Sequence, residues 1–99
     1  MFSTVRRYLG VKPDVAAELE RRKADLTDVL RGVPGLVSYE LVRTRDGMFA
    51  VTVCRDEASA METNRRAAAW MAAHIPGFAA STPEVWSGPV TVHVERNAR

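Results

Sequence analysis

The sequence predicts one α+β domain in which strands and helices follow one another in the order βαββαβ. Four stretches alternate apolar and polar residues with the period of a strand, and two longer stretches repeat apolar residues at helical spacing. The 99 residues suit a single domain, residues 1–99. A hydrophobic content of 46% and a charged content of 26% are ordinary for a globular protein.

The first strand and the first helix occupy the N-terminal third of the chain. Phe2–Leu9 mixes β-branched and aromatic residues and is followed by a glycine, which predicts a strand. One long helix is predicted from Pro13, because the fixed φ of proline suits the first helical position. Its apolar residues recur at helical spacing: Val15, Leu19, Leu26, Val29, Leu30 and Val33. Gly32 and the pair Pro34-Gly35 end it.

The second and third strands are predicted to form a hairpin. LVSYELVRT (Leu36–Thr44) and MFAVTVCR (Met48–Arg55) alternate as strands on either side of the turn Arg45–Gly47. We expect Gly47 to take a positive φ in this turn. Both faces of the third strand are largely apolar, so this strand is predicted to be central in the sheet and covered on both sides.

The second helix is predicted to begin after Asp56, an N-cap candidate, and to run to Ile75, before Pro76-Gly77. A helical wheel places Trp70 toward the far side of this helix. The same wheel gives an inner face of Met61, Asn64, Ala68, Met71 and Ile75, with Ala60 and Ala67 beside them.

The last strand is predicted at PVTVHVE (Pro89–Glu95), after the loop FAASTPEVWS, which carries Trp86. This order of elements is the split βαββαβ pattern of a ferredoxin-like fold, a four-stranded antiparallel sheet with two helices on one face. Because the central strands are apolar on both faces, the face without helices needs a cover. We expect a second copy of the same sheet to provide it, which makes the protein a homodimer.

Charge and cysteine content narrow the class of protein. The net charge is only +2, and short basic runs such as Arg6-Arg7 are scattered, which argues against nucleic-acid binding. An RNA-recognition motif shares the βαββαβ order, but the third strand offers one aromatic residue, Phe49, out of register with the pair that stacks bases. The single cysteine, Cys54, and the lack of an apolar signal segment predict a cytoplasmic protein without membrane association.

Two segments carry a resemblance to a known family. VPGLVSYELVRTRDGMFAVTVCRDEASAMETNRRAAAWM and PEVWSGPVTVHV resemble the antibiotic biosynthesis monooxygenase-like (ABM) dimeric α/β-barrel proteins. The matching positions are Pro34, Gly35, Leu36, Asp56, Glu57, Pro83, Val85, Gly88 and Val90. The resemblance implies that two sheets pair into a barrel, with a cleft in each subunit between its sheet and helices. Members of this family include cofactor-free oxygenases of aromatic polyketides, haem-degrading oxygenases and proteins of no known activity, so membership alone assigns no reaction.

The second helix carries most of the predicted site. Small residues on its inner face either leave a hollow for a flat hydrophobic ligand or simply let helix and sheet pack closely. Asn64 points inward, where an amide needs hydrogen-bond partners, and it either holds a substrate carbonyl or dioxygen or is a structural amide. The predicted substrate pocket is Ala60, Met61, Ala67, Ala68, Met71, Tyr39 and Trp86. Trp86 is a candidate to cover the cleft or to pack under the neighbouring subunit.

The resemblance also suggests Trp70 and His74 as catalytic residues beside Asn64. Haem-degrading members carry a Trp and a His on this helix and an Asn on the first strand, where this chain has Ser3 and Thr4. The set is therefore incomplete, and a histidine favoured by the helix dipole explains His74 equally well. Tyr39, Arg43 and His93 are further polar candidates on the sheet.

The predicted function is binding of a small hydrophobic or aromatic ligand by a homodimer. No phosphate-binding loop, dinucleotide fingerprint, metal-binding motif or nucleophile elbow occurs in the sequence, so we expect no cofactor and no metal. The most specific hypothesis is a cofactor-free monooxygenase acting on an aromatic or quinol-like compound. The alternative is a non-catalytic dimer that binds a ligand or a partner protein.

Overall fold

The structure is a computed structural model, and it describes residues 1–78 and 82–96. Its elements are, in chain order, β1 (Phe2–Leu9), α1 (Pro13–Arg21), α2 (Lys23–Arg31), β2 (Leu36–Thr44), β3 (Gly47–Cys54), α3 (Glu57–His74) and β4 (Glu84–Pro89). The four strands form one antiparallel sheet in the order β2-β3-β1-β4. This arrangement confirms the predicted ferredoxin-like α+β fold and the central position of β3.

The first helical region differs from its prediction, because it is two helices and not one. Arg22 breaks the helix with φ −104° and ψ 17°, and its backbone N–H donates to the carbonyls of both Glu18 and Leu19. Neither proline nor glycine stands at this position, so no local residue signal marks the division of the helix. The break lets α1 bury Ala16 and Leu19 while α2 turns to bury its own leucines.

The hairpin between β2 and β3 is confirmed, but the reason for its glycine is different from the one predicted. Positive φ values occur among the described glycines at Gly10, Gly35 and Gly77, and Gly47 is not among them. Gly47 is instead buried where β1 passes closely, and a Cβ on it would collide with the backbone carbonyl of Tyr8. Close approach of two strands therefore requires this glycine.

The sheet has one face against the helices, which we call the inner face. Its buried residues come from β1 and β3: Thr4, Tyr8, Met48, Ala50, Thr52 and Cys54. Cys54 is fully buried with its Sγ 3.6 Å from Oγ1 of Thr63 on α3, as a packing residue would be. Leucines from α1 and α2 and the aromatic rings of Trp70 and Phe78 complete the core.

The helix α3 begins after Asp56, as the sequence predicts, and ends at His74, one residue before the predicted end at Ile75. The Asp56 carboxylate accepts a 2.8 Å hydrogen bond from the Ser59 backbone N–H, which confirms the N-cap. The rotation of the helix was predicted wrongly: Met61 is 64% exposed, whereas Trp70 is buried. The physical reason is that α3 packs against α2 as well as against β1 and β3, so its buried surface is turned toward both neighbours.

The last strand was also placed wrongly by the sequence. β4 is Glu84–Pro89, which begins inside the predicted loop, and residues 90–96 belong to no strand, with Val92 78% and Val94 84% exposed. Residues 79–81 of that predicted loop lie outside the described part of the chain. The register explains the difference: Pro89 already pairs with Phe2, and Val90 N–H reaches the Met1 carbonyl, so β1 has no residues left to pair with the segment beyond.

The opposite side of the sheet, the outer face, has no helix over it among the described residues. Its apolar residues come from all four strands: Val5, Val42, Phe49, Val51, Val53 and Trp86. Val42 and Trp86 are exposed, and the other four are only half-buried. Among residues 1–78 and 82–96, no helix is long and apolar enough to cross a membrane.

Candidate functional site

A cavity of about 220 Å³ lies on the inner face between α3, β1 and the segment that leads into β4. Its walls combine apolar and polar side chains: Arg6, Tyr8, Ala68, Met71, Phe78, Thr82 and Pro83. The volume is below the roughly 300–1,000 Å³ of clefts that hold drug-sized ligands. The cavity therefore suits a small ligand of one to three rings.

Arg6 is the charged group of this cavity. It lies on β1 between Thr4 and Tyr8 on the inner face, and its guanidinium is 5.8 Å from the centroid of the Tyr8 ring. One terminal nitrogen, Nη1, donates a long hydrogen bond of 3.5 Å to the backbone carbonyl of Asn64. Its Nε is buried and has no hydrogen-bond partner among the described residues.

Two tyrosines stand close to Arg6. Tyr8 lines the cavity with its ring tilted against Phe78 at a centroid distance of 4.7 Å. Burial raises the pKa of Tyr8, and the Arg6 guanidinium partly opposes this shift. Burial also raises the pKa of Tyr39, with a further contribution from Tyr8 and opposition from Arg6. Both phenols are therefore neutral near pH 7 and can donate hydrogen bonds.

Asn64 stands behind Arg6 on α3. Its side-chain Oδ1 accepts a 3.0 Å hydrogen bond from Oγ1 of Thr52, and its backbone carbonyl accepts the bond from Arg6. The amide is thus joined to β3 through a buried hydroxyl. The side chain is not among the groups that line the cavity. Asn64 thus contacts Arg6 through its backbone and β3 through its side chain, and its predicted catalytic role stays a proposal.

The predicted alanine and methionine lining is only partly found at the cavity. Ala68 and Met71 do line it. Ala60 and Ala67 are buried and form no part of the cavity wall. Met61 faces solvent and belongs to no cavity wall.

Trp70 and His74 lie on a different side of α3 from the cavity. The Trp70 ring is buried under the guanidinium of Arg22, 5.6 Å from its centroid, and stacks on the His74 ring at 5.0 Å. Nδ1 of His74 is 2.9 Å from the Trp70 carbonyl. These contacts hold the end of α3 against the α1–α2 junction. The structure does not bring the two residues together with Asn64.

The remaining predicted residues are also separated from the cavity. Trp86 lies on β4 opposite Val5, and its side chain is on the outer face, so it does not cover the cavity of its own chain. Arg43 makes a 4.0 Å ion pair with Glu20. His93 follows β4 and is exposed, with Nε2 3.1 Å from the Glu95 carboxylate.

A larger groove of about 610 Å³ runs between β2 and the helices α1 and α2. Tyr39 lines this groove, with buried leucines at its base and charged side chains at its rim. We favour the smaller cavity as the functional site although it has less volume. The smaller cavity has in its wall a half-buried arginine, Arg6, that has no carboxylate partner among the described residues, whereas the charged side chains of the groove stand at its exposed rim.

No metal site is found in the part of the chain that the structure describes. No group of three or more His, Cys, Asp and Glu side chains there is arranged to hold a metal ion. Neither His74 nor His93 lines the cavity. The residues at the cavity therefore do not match a histidine-ligated haem.

Arg6 was not identified as a site residue from the sequence. A signal was present, because the period-2 pattern of β1 puts Arg6 on the same face as Phe2, Thr4 and Tyr8. A charged residue on an apolar strand face is unusual, and this could have identified it. The sequence analysis considered Arg6-Arg7 only as a short basic run in weighing nucleic-acid binding.

The four-stranded antiparallel sheet with helices on one face places the chain in the class of ferredoxin-like α+β domains. Within this class, the sequence profile of the antibiotic biosynthesis monooxygenase family matches residues 1–75. The chain belongs to that family, as its resemblance predicted. No curated protein matches the sequence.

Solved structures share the fold at low sequence identity. A protein of unknown function from Nitrosomonas europaea has a TM-score of 0.73 at 19% identity, over 98% of this chain and 95% of that one. The haem degrader MhuD from Mycobacterium tuberculosis, with two haems bound, has a TM-score of 0.69 at 20% identity, over 96% and 100%. The monooxygenase ActVA-Orf6 from Streptomyces coelicolor, in complex with nanaomycin D, has a TM-score of 0.68 at 17% identity, over 97% and 92%.

Proposed function

We propose that this protein is a homodimeric monooxygenase that binds a small aromatic or quinol-like compound in the 220 Å³ cavity and oxygenates it without a bound cofactor. The observation that carries the proposal is the make-up of that cavity. Met71, Phe78 and Ala68 provide apolar walls for a flat ring, and Arg6 and Tyr8 provide donors at one side. The choice of reaction is supported by membership of the antibiotic biosynthesis monooxygenase family and by the similar fold of a monooxygenase with nanaomycin D bound.

The reaction needs only the substrate and dioxygen. In the simplest case an activated ring methylene becomes a carbonyl: one oxygen atom of dioxygen enters the new C=O bond, and the other leaves as water with the two methylene hydrogens. The substrate supplies all four electrons, so no external reductant is consumed. The protein would contribute orientation and exclusion of water in an apolar cavity. Tyr8, whose raised pKa keeps it protonated, is a hydrogen-bond donor toward a substrate oxygen.

A second candidate is ligand binding without chemistry. It is favoured by the placement of the predicted catalytic side chains, because Trp70 and His74 pack against α2 and the Asn64 Oδ1 is occupied by Thr52. Few groups then converge on the cavity. Cofactor-free oxygenation also needs few such groups. A measurement of turnover therefore distinguishes the two candidate functions, whereas the geometry of the cavity does not.

The homodimer is part of the proposal. The outer face leaves Val5, Val51 and Val53 half-covered, and Trp86 is 53% exposed on the same face. Removal of this apolar area from water stabilises a complex, and the identical outer face of a second copy can cover it. Val92 and Val94, beyond β4, are further exposed apolar residues. The cytoplasmic location predicted from the single cysteine stays a prediction.

Turnover is tested with anthrone, whose ring methylene is activated by the neighbouring carbonyl system. We expect saturable oxygen uptake above the rate of the protein-free solution and one ¹⁸O atom per product when ¹⁸O₂ is supplied. Ala68→Trp, which fills the cavity, should abolish uptake, whereas Ala69→Trp on the exposed side of α3 should not.

Three outcomes are distinguishable in this experiment. Labelled product that disappears in Ala68→Trp supports the monooxygenase. Binding that Ala68→Trp abolishes, without any oxygen uptake, supports the ligand-binding alternative. Uptake or binding that is equal in Ala68→Trp and Ala69→Trp contradicts the cavity as the site. Native mass spectrometry of the same samples should show two chains, and a monomer at micromolar concentration would contradict the dimer.

A further inference from the structure

Arg6 is unlike every other arginine in the described residues. Six have a carboxylate within ion-pair distance: Arg7, Arg21, Arg22, Arg43, Arg65 and Arg66. Four are exposed to solvent: Arg31, Arg45, Arg55 and Arg96. Arg6 alone is half-buried and has no carboxylate partner in these parts of the chain.

The surroundings of Arg6 do not neutralise its charge. Among residues 1–78 and 82–96, its one hydrogen bond goes to a neutral acceptor, the Asn64 carbonyl, at 3.5 Å, and its contact with the Tyr8 ring is a cation–π interaction at 5.8 Å. The two nearby tyrosines are kept protonated by burial and bring no negative charge. A half-buried cation without a counter-ion loses part of its hydration, and no opposite charge compensates for that loss.

Arg6 is placed to meet a ligand. Its side chain forms part of the cavity wall and has no carboxylate partner among the described residues, while its Nε atom is covered by protein. Guanidinium groups bind oxyanions through two parallel N–H donors. The other walls, Ala68, Met71 and Phe78, are apolar and would contact a ring.

We infer that Arg6 is the anion-recognition residue of this cavity and that the ligand carries an acidic oxygen, as a carboxylate, phenolate or enolate, on a small flat apolar body. The inference rests on the proposed function, since it places the ligand in the same cavity, and it deepens that proposal by giving the ligand a charge. A substrate that must become an anion before it reacts with dioxygen would gain the same stabilisation from Arg6.

The test compares two probes of nearly the same shape, 2-naphthoate and 2-naphthamide, by isothermal titration calorimetry. We expect wild-type protein to bind the anion about ten- to a hundred-fold more tightly, since a hydrogen-bonded charge pair in a desolvated site is worth that factor. Arg6→Gln should reduce this ratio to about one, and Arg6→Lys should retain part of it. The matched control is Arg7→Gln, which removes an equal charge on the outer face and should leave the ratio unchanged.

The melting temperature of the Arg6 variants gives a second readout, which distinguishes a ligand-binding role of Arg6 from a structural one. Arg6→Gln removes an uncompensated cation and can still donate to the Asn64 carbonyl, so we expect the ligand-free melting temperature to be equal or higher. A drop in melting temperature together with an unchanged probe ratio would overturn the inference. Should Arg6→Gln fail to fold, Arg6→Lys decides, because it keeps the charge but loses the Nε–H donor.

The outcomes separate this inference from the proposed function. Equal binding of both probes by the wild type, abolished in Ala68→Trp, would keep the cavity and overturn the role of Arg6. Failure of both probes to bind the wild type would overturn the ligand site and this inference together. A further comparison with 4-nitrophenolate, at a mildly alkaline pH where it is ionised, shows whether the cavity prefers a phenolate or a carboxylate.

Discussion

Thr52 donates a 3.0 Å hydrogen bond from Oγ1 to Oδ1 of Asn64, and the backbone carbonyl of the same asparagine accepts from Arg6. The bond joins the centre of β3 to α3 through a hydroxyl that is almost fully buried. Asn64 therefore connects the core of the sheet to the charged residue of the cavity. A buried polar pair of this kind fixes the position of the helix as well as contributing to stability.

The first prediction concerns this pair. Asn64→Ala leaves the buried Thr52 hydroxyl without its acceptor, so we expect a loss of about 1–3 kcal/mol in the free energy of unfolding. Thr52→Val removes the donor, and the double variant should be less destabilised than the sum of the single ones by at least about 0.5 kcal/mol. Urea denaturation measures all three. Thr27→Val, at an exposed hydroxyl within α2, is the control, and additive losses would show that the pair is not coupled.

The second prediction tests why β3 starts with glycine. In Gly47→Ala, the added methyl group would collide with the Tyr8 backbone carbonyl. This carbonyl cannot rotate out of the way as a side chain could. We expect a loss of about 1–3 kcal/mol or more in the free energy of unfolding. The matched control is Gly88→Ala, where the added methyl group meets nothing within 4 Å. Equal stability of the two variants would contradict the close approach of β1 and β3.

The third prediction uses the two tryptophans to detect the dimer. Trp86 is on the outer face and 53% exposed in the single chain, whereas Trp70 is 7% exposed in the core. In Trp70→Phe, the fluorescence of Trp86 should shift to longer wavelength on dilution, because dissociation returns the ring to water. In Trp86→Phe, the fluorescence of Trp70 should not depend on concentration.

The same experiment has a disruptive control. Val51→Asp puts a charge on the outer face, where pairing with a second sheet would bury it. We expect this variant to have the dilute-sample emission of Trp86 at every concentration and the mass of one chain by light scattering. A Val51→Asp variant that keeps the mass of a dimer would contradict the paired-sheet arrangement.

The fourth prediction concerns pH. Hydrogen bonds from Arg65 and Arg66 lower the pKa of Glu62 from 4.5 to about 2. A lowered folded-state pKa stabilises the protein above the unfolded value, so this contribution is complete above about pH 5 and is lost as the pH falls from there toward 2. Carboxyl NMR titration should show Glu62 still ionised at pH 3. In the variant Arg65→Gln/Arg66→Gln, Glu62 should titrate near its ordinary pKa, and an unchanged titration would show that the two arginines do not cause the lowered pKa.

Most of the fold could be predicted from the sequence, because its cues are local. β1 was predicted at Phe2–Leu9 from composition alone, and the N-cap of α3 at Asp56 depends on a side chain three residues from its partner. The alternation in β3 correctly assigned Met48, Ala50, Thr52 and Cys54 to one face, since period 2 is a property of any extended strand. The family follows from the same local features.

The site was predicted less completely, because a cavity depends on which neighbours a residue meets. Ala68 and Met71 were predicted and do line it. Met61 was misplaced because a helical wheel assumes one buried direction, whereas α3 contacts both the sheet and α2. Arg6 was missed because its importance lies in the lack of a counter-ion, and only the tertiary structure shows which carboxylates are near.

Local patterns along the chain were enough to define the order of the elements, the faces of the strands and the family, since periodicity and capping act over a few residues. Contacts in the folded chain were needed to show that the long helix breaks at Arg22, that Gly47 serves close packing, and that β4 is Glu84–Pro89. The same contacts show that Arg6 stands alone beside the cavity. These four features share one physical reason: strand pairing, burial and charge compensation are relations between residues that are distant in sequence. The end of β4 is an example, because β1 offers no further partner there.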